Sequence, residues 1–199
     1  MSTEKAVRYL DRKIELRAAK DGSNSPGTVV GYAAVYNSAS QDLGGFRETI
    51  APGAFKRCLS DDVRCLWNHR DEAILGRSSA GTLRLEEDGI GLRYECDLPD
   101  TSVGRDVAEG LRRGDITGSS FQFTIDPDGE DWDWSGPVPL RCLRSISRLY
   151  DVSPVTFPAY EDSSCELRSY SDAADAFKSQ LDSRLSRLRA RLALAEATA

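Results

Sequence analysis

The chain has a single histidine among 199 residues. That scarcity excludes histidine-rich metal chemistry and leaves one imidazole, His69, for any reaction that needs a general base near neutral pH. Paired cysteines are also missing. Cys58, Cys65, Cys96, Cys142 and Cys165 form no CxxC pair. An odd count without paired spacing argues against a structural zinc site and for reduced, mostly buried thiols in a cytosolic compartment. No run approaches the roughly 18 apolar residues of a membrane span. The charged start MSTEKAVRYLDRKIELRA has no apolar signal core. With a net charge of −6, nothing points to a nucleic-acid surface.

What is there suits one globular domain with an appendage. A hydrophobic content of 40%, with three Trp, seven Tyr and six Phe, is enough for a core. Most of the chain reads as short strands. Residues 13–18 alternate, and TVVGYAAVY (28–36) is apolar on both faces. Phe46 to Ile50 reads as a short strand. In APGAFKRCLSD (51–61), Phe55 and Leu59 at i, i+4 predict a short helix. Val63 to His69 reads as a strand with Val63, Cys65, Trp67 and His69 on one side. Ile74 to Arg77 follows as a short apolar segment. A hairpin around Glu87-Asp88-Gly89 joins Leu83 and Leu85 to residues 90–98.

A helix is predicted over 102–113, with Thr101 or Ser102 as N-cap and Gly114 beyond its end. Residues 116–125 return to strand, with Ser119, Phe121, Phe123 and Ile125 on one face and Ser120, Gln122 and Thr124 on the other. DPDGEDWDWSGP (126–137) lacks the spacing and terminal glutamate of an EF-hand loop and reads as a solvated connection. One or two strands span 140–155, and SPVTFPAY docks on the surface to close the barrel or sheet. From Ser171 the composition changes. Phe177, Leu181, Leu185, Leu188 and Leu192 make a helical stripe close to a heptad seam. The division expected is a β domain over 1–168 and a helical tail over 169–199.

The chemistry centres on Gly114 to Phe123, GDITGSSFQF, together with His69 in LWNHRD. A serine nucleophile needs a base in hydrogen-bond reach, and only one histidine exists to supply it. A cysteine hydrolase built on Cys65 and His69 fails on distance. Four residues along a strand is about 13 Å.

Five stretches, GYAAVYN, ETIAPGAF, LWNHRDEAILGR, DGIGLRYECDLPDTSVGRDVAEGLRRGDITGSSFQF and LYDVSPVTFPAY, run in order over roughly residues 28–160. In them the sequence resembles the prohead (capsid maturation) serine proteases of tailed bacteriophages, which are similar to herpesvirus assemblin-type proteases. The resemblance implies an α+β fold, a mostly antiparallel β-barrel surrounded by helices. It implies His69 as the base and Ser120, the serine before Phe121, as the nucleophile. Ser119 ranks second, because the family tends to carry an apolar residue there. With no second histidine, an acid must orient His69, and the resemblance points to Asp151 in LYDVSP, with Asp71 as rival. Arg144 and Arg148 are the candidates near the oxyanion motif.

The substrates implied are the scaffold, the N-terminal extension of the major capsid protein and the protease itself. They would be cut inside the immature capsid in the bacterial cytoplasm. No cofactor and no metal are implied, and a homodimer is compatible with the resemblance. The tail would be a scaffold- or partner-binding segment, or one removed by self-cleavage. The competing reading is a protease-fold scaffolding or assembly protein without activity.

Overall fold

The structure, a computed structural model, describes residues 5–10, 14–19, 24–157 and 163–197. The first strands are β1 (Ala6–Leu10), β2 (Glu15–Arg17), β3 (Thr28–Val35) and β4 (Arg47–Ile50). A hairpin of β5 (Arg64–Leu66) and β6 (Ile74–Arg77) follows, then a second of β7 (Leu83–Glu87) and β8 (Gly91–Asp97). Helix α1 (Ser102–Arg113) leads into β9 (Gly118–Ile125), β10 (Glu130–Asp133), β11 (Leu140–Leu143) and β12 (Ile146–Val155). Helix α2 (Ser163–Ala197) is the last element described.

The strands form three sheets, ordered β1-β9-β12-β5-β6, β10-β11-β4 and β2-β3-β8-β7. All ladders are antiparallel except β12 with β5 and β11 with β4. The α+β, mostly antiparallel expectation therefore holds. The closed barrel surrounded by helices does not: among the described residues each sheet keeps two open edges, and α1 is the one α-helix before residue 162. Closure needs every strand paired on both sides. The edge strands include β2 (three residues) and β4, β6 and β10 (four each), each paired on one side only.

Alternation along β9 builds the centre. Phe121 and Phe123 point inward, stack at 4.9 Å, and are both 1% exposed. Phe55 meets Phe121 edge-on at 5.6 Å. Leu92, Tyr94, Leu149 and Val152 complete this interior. Fully burying one such side chain stabilises the fold by about 1.5–3 kcal/mol. A charged cluster is buried with them. The Arg8 guanidinium donates to both Glu48 oxygens, at 2.5 and 2.8 Å, and Arg141 Nη1 donates to Glu48 Oε2 at 3.1 Å. Arg141 also pairs with Glu130, so β1, β4, β11 and β10 share one ion-pair network.

Three local expectations are corrected. The segment 51–61 is a chain of tight turns and not a helix. The Ala54 carbonyl, which a helix would use internally, accepts from Ile146 N, and Phe55 N donates to Glu87 Oε1. The acidic connection contains a strand, β10, because Trp132 packs on Phe46 and stacks on Trp134, each at 5.1 Å. Phe157 is 70% exposed and closes nothing, and the rest of FPAY lies outside the described residues.

Helix α1 follows its sequence signals. The Thr101 hydroxyl accepts from Gly104 N, and Gly114 ends the helix at φ 79°. By contact the chain divides into two compact units, Met1–Glu161 and Asp162–Ala199. The second is α2, on which Phe177, Leu181, Leu185 and Leu188 are exposed. Among the described residues no helix is long and apolar enough to cross a membrane.

Candidate active site

Three neighbouring strands of the five-stranded sheet assemble the site. Ser120 lies on β9, directly across the ladder from Ser153 of β12. Two residues earlier on β12, Asp151 pairs with Gln122 on one side and with Arg64 of β5 on the other. With a side-chain period of two, Ser120, Asp151 and Ser153 come out on the same face, opposite the phenylalanines.

His69 arrives from the β5–β6 connection. The strand expected to carry it ends at Leu66, so His69 does not continue the apolar face of Cys65. It sits in a tight turn closed by Trp67 N donating to Ala73 O. Asn68 and His69 both adopt left-handed backbone, with φ 53° and 57°. Such conformations are unfavourable for most residues and are met most often by Asn, Asp and His outside glycine. Asn68 holds the turn in place. Its N–H donates to Pro154 O, its Oδ1 accepts from Thr156 N at 2.9 Å, and its Nδ2 donates to Thr156 Oγ1 at 3.2 Å. The turn is thereby fastened to the end of the strand that carries Asp151.

The imidazole spans the other two groups. His69 Nδ1 is 2.6 Å from Asp151 Oδ1, and His69 Nε2 is 2.6 Å from Ser120 Oγ. A carboxylate can only accept, so Nδ1 carries the hydrogen and Nε2 of the neutral ring faces the serine with its lone pair. Asp151 is 3% exposed and the His69 side chain 20%. Ser120 Oγ is also 2.9 Å from Arg8 O on β1, so its one hydrogen has two acceptors in reach. Asp151 Oδ1 takes a further bond, 2.6 Å, from Ser153 Oγ. Beside Ser120, a Cβ on Gly118 would come within 2.1 Å of the Tyr9 hydroxyl. Tyr9, which pairs with Ser120, can cross the strand there because residue 118 has no side chain.

The other residues singled out in the sequence lie elsewhere. Ser119 faces the interior, 0% exposed, and shares a 2.9 Å hydrogen bond with the Tyr94 hydroxyl. Asp71 is exposed, and the Nδ1 bond goes to Asp151. Cys65 is buried, and burial first, then Cys96, pushes its thiol pKa well up, against a thiolate nucleophile. Arg144 pairs with Asp131 at 2.7 Å and donates to Asp128 O. Arg148 lies over the Tyr150 ring and pairs with Thr124, four residues along β9 from Ser120, or about 13 Å.

Sequence reasoning missed Ser153, Tyr9 and the Arg8 carbonyl. Ser153 had a signal, since residues two apart on a strand share a face. Strand β1 had none, because the pairing of residues 6–10 with β9 is set by distant chain.

The family model described as Caudovirus prohead serine protease matches residues 12–176. No curated protein and no solved structure matches the chain.

Proposed function

Because the chain belongs to the caudovirus prohead serine protease family, a class that implies a capsid-maturation protease, we propose that it hydrolyses peptide bonds through Ser120, His69 and Asp151. The observation that carries this reading is the pair of 2.6 Å contacts by which one imidazole joins a hydroxyl to a buried carboxylate. In the acylation step His69 Nε2 takes the Ser120 proton as Oγ bonds to the scissile carbonyl carbon. The imidazolium is held by Asp151 and then returns the proton to the leaving amine. Water, deprotonated by the same nitrogen, releases the acyl group and restores the serine. Asp151 stays ionised throughout. Its part is to keep the Nδ1–H tautomer and to stabilise the imidazolium.

The proposed substrates are the scaffold and the N-terminal extension of the major capsid protein, cut inside the immature capsid, together with this chain's own tail. The test is co-expression with the capsid and scaffold proteins of the same phage, comparing wild type with Ser120→Ala by mass spectrometry. Trimming of the capsid protein by wild type alone is the expected result. Assembly without any trimming would favour the inactive scaffolding protein, a reading to which the 1% exposure of Ser120 lends its only support.

A further inference from the structure

Resting on that reading, we propose that Ser153 is a positioning residue for the reaction, holding Asp151 so that His69 keeps the productive tautomer. An aspartate on a strand is not fixed by its backbone alone, because rotation about χ2 is broad. Here the same oxygen, Oδ1, receives both the His69 Nδ1 proton and the Ser153 hydroxyl, each at 2.6 Å. Ser153 is 0% exposed, so water does not compete for its hydroxyl. It stands directly across the ladder from Ser120. The nucleophile and the group that orients its acid are thus ladder partners on adjacent strands, and the His69 ring bridges from Asp151 back to Ser120.

A hydroxyl has one hydrogen, and an ionised carboxylate only accepts. Ser153 must therefore donate to Asp151. That bond is charge-assisted and in a buried setting, where such bonds are strongest. It fixes the plane of the carboxylate, and the carboxylate in turn fixes the imidazole. Without it the carboxylate can turn away from Nδ1. The ring then loses its preference for the tautomer with a bare Nε2, and a protonated Nε2 cannot accept the serine proton. Ser153 acts through Asp151 and does not meet the substrate.

The experiment uses the full chain with Ser153→Ala and Ser153→Cys, the second being of similar size but a poor donor. Two quantities are read. One is the rate at which a fluorophosphonate labels Ser120, which needs no known substrate. The other is the Nδ1 proton resonance of the imidazole, unambiguous because the chain has one histidine. Loss of a charge-assisted bond predicts labelling slower by about tenfold or more. It also predicts a displaced or exchange-broadened Nδ1 proton in both variants, a change that loss of packing alone would not produce.

Wild-type labelling and an unmoved resonance in either folded variant would overturn the proposal. Slower labelling with an unmoved resonance and a lowered melting temperature would also overturn it, by assigning Ser153 to packing alone. Should Ser153→Ala fail to fold, Ser153→Cys decides on the same two readouts. If wild type itself is not labelled, the serine-hydrolase reading fails. The resonance comparison then still decides whether Ser153 holds Asp151.

Discussion

The three site residues differ in how sharply each can be probed. Asp151→Asn keeps the size of the side chain and removes its charge. An amide that donates where the carboxylate accepted favours the wrong tautomer, so fluorophosphonate labelling of Ser120 should fall by about 10⁴-fold while circular dichroism is unchanged. Asn68 separates conformation from clamping. Asn68→Ala loses the side-chain bonds to Thr156 and takes a left-handed backbone that alanine disfavours, whereas Asn68→Gly loses only the bonds. Chemical denaturation should show Asn68→Ala less stable than wild type by about 1–2 kcal/mol, with Asn68→Gly between them. Both should label more slowly, since the turn that presents His69 is no longer fastened to β12. An Asn68→Gly protein that labels at the wild-type rate would show that the turn needs no clamp.

Among elements, β1 shows why part of the fold was hidden in the sequence. Residues 6–10 carry no strand signal of their own, and the strand forms only where Arg8 finds Glu48 and where the β9 edge lies open. Elements with strong local signals, α1 with its cap and glycine stop and the β7–β8 hairpin with Asp88, were legible from their own residues. The turns at 51–61 and the strand β10 were not. Each is decided by a distant partner, Ile146 for the first and Phe46 for the second. The site divides in the same way. Ser120, His69 and Asp151 were named from motifs and are joined through the two nitrogens of the His69 ring, while Ser153 and Arg8 O depend on strand register.

Two predictions belong at this scale. Glu48→Gln leaves the Arg8 and Arg141 guanidiniums facing a neutral amide inside the protein, and breaking a buried pair this way costs about 3–5 kcal/mol in urea unfolding. The second concerns the ladder of charges on the β2-β3-β8-β7 sheet. Glu95 is held below the ordinary carboxylate range, first by its hydrogen bond to Arg93, against a burial cost, with Arg84 adding to the effect. A depressed folded pKa stabilises the protein fully above the unfolded value of about 4.3, and that share is lost as pH falls through the folded value. Melting temperature should therefore drop as pH is lowered below about 4.3, and drop less steeply in Glu95→Gln.

For the molecule as a whole, the division after Glu161 predicts that a chain ending there keeps the melting temperature and the Ser120 labelling rate of the full chain. Loss of either would mean that α2 supports the first unit. The proposed role of the tail is checked separately, by whether the shortened chain still enters procapsids. Residues Asp151 and Ser153 lie on β12, the middle strand of its sheet, which is paired with β9 on one side and β5 on the other. Edge strands fray in local openings, but a strand bonded on both sides exchanges its amide hydrogens only when the whole sheet comes apart. The amides around Asp151 should then be among the slowest to exchange, and heat should extinguish activity and fold in one transition. A fold arranged this way has no half-open form in which Asp151 leaves its place while the sheet survives; the two are lost together.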